Sequence, residues 1–135
     1  MYQTIVIPVS FEEDRDVAGA TAVARTLADE GASITFLHVI QIIPVFAGDY
    51  IPAEVLVQNR ERLTEKLEAL TADVPGSRIA LVDGTAGRGI TDWATENHAD
   101  CIVMASHTPA MSDLLLGSTA AWVVRHAPCA VHVIR

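Results

Sequence analysis

The sequence predicts an α/β fold: a five-stranded parallel sheet of order 3-2-1-4-5 with helices on both faces. Three observations point to it. Apolar runs rich in β-branched residues, such as 4–9 and 101–104, alternate along the chain with segments of helical periodicity. Those runs lack polar alternation, as expected of strands covered on both faces. The length, 135 residues with half of them apolar, suits one domain over 1–135 with a substantial core.

Residues 4–9 form a continuous β-branched run, and Pro8, which cannot donate to a ladder, belongs near the strand's exit. Ser10 opens an acidic loop. A helix over about residues 15–30 carries Val17, Ala20, Ala24, Leu27 and Ala28 on one stripe, with Gly31 as its C′ residue. The second strand is 33–40. The connection 41–52 is long and apolar, and reads either as a flap packed on its own domain or as a lid or subunit contact. A helix over 53–72 sets Leu56, Leu63, Leu67 and Leu70 in register, with charges elsewhere, until Pro75-Gly76 breaks it. The third strand is 78–83, and a short helix with Ile90, Trp93 and Ala94 inward runs to about Asn97. The fourth strand, 101–105, is followed by a loop and a helix beginning at Ser118. Past Pro128, residues 129–134 form the fifth strand.

Placing the first strand centrally puts the switch point between strands one and four, where ligands bind outside the carboxyl ends. The stretch 104–119 leaves strand four there, opposite Ser10. Strand five falls at the edge with no charge before Arg135, a template for pairing. A homodimer through Ala130–Ile134 is preferred over an edge shielded by a side chain or loop.

The formal charge of −8, from 17 acidic and 9 basic residues, disfavours nucleic acid and anionic membrane as partners. It leaves room for a small phosphorylated ligand, because local dipoles dominate within the roughly 8 Å screening length. The first residues lack a basic n-region, so no signal peptide is expected, and no apolar run reaches the ~20 residues of a membrane span. Cys101 and Cys129 open adjacent strands and suit buried thiols in a reducing compartment, so a cytoplasmic protein is expected. The histidines show no metal-ligand spacing.

Two nucleotide motifs fail. The sole lysine, Lys66, lies within a helix and not in a P-loop. Gly84-x-x-Gly87-x-Gly89 has the wrong order for a dinucleotide fingerprint and reads as a tight turn and helix start, although Gly84 and Thr85 are placed to border a ligand at the strand ends. The stretch 104–119 is stronger: Gly117 allows close backbone approach, and Ser118 and Thr119 add hydroxyls to the free amides of a helix start. The competing reading is that Ser118 caps its own helix.

The residues Ala105-Ser106-His107-Thr108-Pro109, Leu115 to Ala120 and Val124 to Arg135 resemble the C-terminal signature of the universal stress proteins, and Ile5 to Val9 and Leu37-His38-Val39 resemble that family's first two strands. The resemblance implies an adenine nucleotide alpha hydrolase-like fold, dimerisation through the last strand, and binding of ATP. The family pattern is Gly-x-x-Gly, about nine residues, then Gly-Ser/Thr. Here Ala105 and Thr108 stand at the first two glycines while Gly117-Ser118 is intact, a form similar to a bacterial subgroup associated with adenine nucleotides. Ser10 stands where the family usually has an acidic residue. The resemblance implies that Pro8, Val9 and Ser10 flank the nucleoside and that Val39 contacts adenine. Met104, Ala105, Ser106, His107 and Thr108 border the phosphate loop, and Gly117, Ser118 and Thr119 hold phosphates and ribose.

The implied function is a stress-response protein that binds ATP, ADP or AMP, with or without Mg, as a regulatory ligand. The alternatives are a nucleotide-independent interaction module, such as a transporter regulator, and a slow ATPase or self-labelling enzyme. The sequence offers no general base, magnesium carboxylate cluster or arginine finger for the latter, and no catalytic or metal residue is assigned; Asp113 is the one carboxylate in the loop.

Overall fold

A computed structural model describes residues 1–11, 16–41, 51–106 and 116–135. Along the chain run β1 (Tyr2–Pro8), α1 (Val17–Leu27), β2 (Ala28–Gln41), α2 (Ala53–Thr71), β3 (Arg78–Gly84), α3 (Ala86–Glu96), β4 (Cys101–Ala105), α4 (Ser118–His126) and β5 (Ala130–Ile134). The sheet has the order β3-β2-β1-β4-β5, every pair parallel, as the apolar runs predict.

The central stretches of the strands are apolar because each face meets its own helices. Ile5, Ile7, Phe36, Cys101 and Val103 join Ala20 and Ala24 of α1 and Leu67 of α2 in one core. The alternate positions Val6, Leu37, Val39, Ile102 and Met104 join Ile90 and Ala94 of α3 and Ala120 and Val123 of α4 in the other. Each fully buried aliphatic side chain contributes about 1.5–3 kcal/mol relative to exposure, so the two-sided burial of β1 and β4 anchors the centre of the sheet. Asp100 ties these two strands together at their amino ends, its carboxylate accepting from the backbone N–H of Gln3 (2.8 Å) and Thr4 (2.9 Å). The same alternation separates the cysteines: Cys101 packs in the first core and Cys129 against the second, so the neighbouring thiols are not poised for a disulfide.

Three expectations need correction. Helix α1 ends at Leu27 rather than near residue 30, with Ala28 already extended at its C-cap. Asp29 is captured by the amino terminus and by Gln3 Nε2, which draws the chain onto β1 early. The register then jumps between Tyr2↔Ala28 and Thr4↔Ser33. Gly31, at φ +79°, therefore serves an irregularity within β2 and not a helix C-cap. Leu56, assigned to the buried stripe of α2, is 54% exposed, whereas Leu63 and Leu67 are buried. Val55 and Val57 beside Leu56 are exposed too, so the first turn of α2 is not packed on the core. The last strand opens at Ala130, one residue later than expected.

The two sheet edges are treated differently. At β3, Arg60 of α2 donates through Nη2 to the Leu81 carbonyl at 3.1 Å and pairs through Nη1 with Asp83 at 3.3 Å. A side chain laid over edge carbonyls blocks further pairing. At β5, Ala130 and His132 are exposed.

Candidate functional site

The carboxyl ends of β1 and β4 lie side by side, registered by Ile5↔Cys101 and Val6↔Ile102. From β1 the chain proceeds to β2 on one side, and from β4 to β5 on the other, so their exits part and leave a crevice. A cleft of about 550 Å³ occupies that place. It gathers Pro8, Val9 and Ser10 from the exit of β1, Val39 from β2, Met104 and Ala105 from β4, and Ser118 and Thr119 from α4. These sequence-predicted residues come from four separate segments. Of the rest, Gly117 and Ser106 are buried just behind the lining, and His107 and Thr108 lie outside the described residues, as do Asp113 and residues 42–50 of the apolar connection.

The start of α4 leaves its first-turn amides uncapped. Gly117 is the N-cap and supplies no side-chain hydrogen bond, and no acidic residue occupies the first turn. Ser118 is therefore the first helical residue and not the cap, which corrects the competing reading. The first-turn amides of such a helix lack intrahelical partners and carry the positive end of its dipole. Gly117 is favoured by a close approach: a Cβ there would sit 3.0 Å from the Ser106 carbonyl oxygen. Ser106 is tied to the sheet, its N–H donating to the Ile134 carbonyl at 2.9 Å. Its hydroxyl is buried without a hydrogen-bond partner among the described residues.

The opposite wall escaped the sequence reading. Asn59, Arg62, Leu63 and Lys66 of α2, spaced i, i+3, i+4, i+7, all line the cleft. Lys66 Nζ stands 5.3 Å over the Phe11 ring, and Phe11 lies 5.2 Å from the His38 ring at a 44° tilt. His38 Nδ1 donates to the Val9 carbonyl at 2.7 Å, so in the neutral ring Nε2 is left as an acceptor. Phe11 and His38 also line the cleft. The result is a cation–aromatic–imidazole layer on one side of the sheet edge, facing the aliphatic Val39 and Ile90 on the other.

Within the glycine-rich segment 84–89, Gly87 and Gly89 serve helix packing. A Cβ on Gly87 would come within 2.5 Å of the Trp122 indole, and one on Gly89 within 2.8 Å of both Val39 methyls. These glycines let α3 press against α4 and β2, and Ala86, not Gly84 or Thr85, borders the cleft.

The family model for the universal stress protein family matches residues 1–135. The chain belongs to the universal stress protein family. Universal stress protein G of Escherichia coli O157:H7 is 32% identical over 142 residues, covering the whole of both chains. Among solved structures, a universal stress protein from Archaeoglobus fulgidus in complex with dAMP is similar at TM-score 0.65 and 22% identity, over 99% of this chain and 98% of that one. An Arabidopsis thaliana universal stress protein family protein with AMP bound is similar at TM-score 0.60 and 19% identity, over 98% and 90%. Against the glycine pattern of the universal stress proteins, the structure separates two positions. Gly117 is held by a backbone contact, whereas Ala105, the last residue of β4, carries its methyl at the cleft.

Proposed function

We propose that this universal stress protein binds an adenine nucleotide, ATP, ADP or AMP, as a regulatory ligand, and acts in the cytoplasm as a homodimer joined through β5. The observation that carries the ligand reading is the uncapped start of α4 opening onto the cleft with Ser118 and Thr119. Phosphate is the natural occupant of such a helix start. The phosphates belong against Ser118, Thr119 and the amides behind them, and the nucleoside between Pro8, Val9 and Ser10 on one side and Val39 on the other. The volume of about 550 Å³ falls in the range of small-molecule sites. The Archaeoglobus and Arabidopsis relatives solved with dAMP and AMP support adenine as the base. No helix among the described residues is long and apolar enough to cross a membrane. The homodimer is supported by the contrast between the Arg60-covered β3 edge and the exposed Ala130 and His132 on β5.

The test is native mass spectrometry of the purified protein, followed by thermal shifts with ATP, ADP and AMP. A ligand at 100 times its Kd stabilises by about 2.7 kcal/mol, which for a domain of this size raises Tm by roughly 10 °C. Absence of bound nucleotide together with no shift at millimolar concentration refutes the ligand reading.

A further inference from the structure

The described lining of the cleft has the opposite charge balance to the chain. The chain carries −8, yet that lining contains Arg62 and Lys66 and no Asp or Glu. The segregation is sharpest on α2. Arg62 and Lys66, one turn apart, line the cleft, while Glu54, Glu61, Glu65 and Glu68 of the same helix do not, and Arg60 is turned to the β3 edge. The contacts described for the two cations are with neutral groups. Arg62 Nη2 donates to Asn59 Oδ1 at 2.8 Å, and Lys66 Nζ rests over the Phe11 ring. These contacts orient both charges without neutralising them. The α4 side offers hydroxyls and amide dipoles, so full positive charge enters the described lining from α2 alone.

We infer that Arg62 and Lys66 are the counter-cations of the ligand and set the cleft's preference for negative charge, so that affinity climbs with each added phosphate. The adenine identity of the ligand rests on the function proposed above; the cationic wall rests on α2 itself. In this arrangement α2 supplies the charge that a P-loop lysine supplies in other nucleotide sites, from the far wall and through long side chains.

The experiment is calorimetric titration of wild type, Arg62→Gln, Lys66→Gln and the double variant with adenosine, AMP, ADP, ATP and inorganic tripolyphosphate. Glutamine keeps helix propensity while removing the charge, and circular dichroism verifies the fold. Wild type is expected to bind more tightly from adenosine to ATP. Solvent screening limits each cation to a few-fold, so the double variant loses about tenfold in ATP affinity. Adenosine affinity stays unchanged, and the fall in ATP affinity between about 20 and 200 mM salt is flattened. Equal losses for adenosine and ATP overturn the inference, since the residues then act as a wall. Unchanged ATP affinity also overturns it, while leaving nucleotide binding intact. Binding of tripolyphosphate but of no adenosine compound, lost in the double variant, upholds the cationic wall and overturns the adenine reading.

Discussion

Replacing Ser118 by Asp separates the stability of α4 from its proposed role as a phosphate seat. Ser118 is exposed, is the first helical residue, and stands in a first turn with no acidic side chain and no side-chain cap. A carboxylate there meets the positive end of the helix dipole, worth about 0.3–1 kcal/mol, so the ligand-free protein gains roughly 1–3 °C in Tm. The same carboxylate lines the cleft. At about 6 Å and an effective dielectric near 40, each pair of like charges costs about 1.4 kcal/mol. A dianionic phosphate seated against α4 therefore loses about 3 kcal/mol, a factor near one hundred in affinity. Differential scanning calorimetry without ligand and titration with AMP read the two effects independently. Unchanged AMP affinity in a folded variant refutes the placement of phosphate at α4. A lower Tm without ligand refutes the account of an uncapped helix start.

The glycines of α3 are open to a double-mutant cycle. Gly89→Ala overpacks against Val39, whose methyls lie 2.8 Å from the added carbon, and costs about 1–3 kcal/mol in urea denaturation. Val39→Ala should relieve part of that cost, and strict additivity contradicts the packing role. Burial, with smaller contributions from Cys129 and Asp100, pushes the Cys101 thiol from 9.0 up to about 11. A raised folded pKa means its contribution is complete below pH 9.0 and is lost as pH rises through about 11. The loss is about 3 kcal/mol. It should vanish in Cys101→Ala, and an identical alkaline profile for the two proteins rules it out. Placing Asp at both Ala130 and His132, the exposed positions of β5, should give a monomer by sedimentation velocity; a persistent dimer excludes this edge as the interface.

The sheet was legible because its chemistry is local. Apolar runs buried on both faces declare themselves, and the spacing of Leu63 and Leu67 declares a helix. What escaped depends on partners distant in sequence. Ala28 continues the apolar stripe of α1, and contacts from Met1 and Gln3 to Asp29 accompany the switch to strand. Leu56 has the right period but is exposed with its neighbours Val55 and Val57 at the start of α2. Lys66 belongs to no P-loop, and Arg62 carries no motif of its own, so neither announces a ligand contact in the linear sequence. The available signal was a second stripe on α2, Asn59, Arg62, Leu63 and Lys66, polar but with the same period as the core stripe. Phe11 and His38 gave no linear signal, because their contact depends on the first and second strands lying side by side. Gly87 and Gly89 read correctly as a turn and helix start, but spacing alone does not reveal that they press against an indole and a valine.

The same geometry explains why a methyl at 117 meets a backbone carbonyl while one already stands at 105. At 117 the conformation is ordinary, φ −57°, so alanine pays no backbone strain there. The obstacle is the Ser106 carbonyl, 3.0 Å from where the methyl would stand, on a residue whose N–H is already committed to Ile134 across the β4–β5 ladder. Relieving that contact requires displacing either α4, and with it the amides and hydroxyls facing the cleft, or β4, which is buried along its whole length. At 105, the buried last residue of β4 and part of the cleft lining, the sheet already accommodates a methyl. Position 117 thus governs where the helix start stands, and position 105 governs how much room remains before it. Enlarging Ala105 should narrow the cleft and, because the residue is buried, cost about 1–3 kcal/mol of stability, whereas a side chain at 117 acts on the ligand by moving the helix start against Ser106.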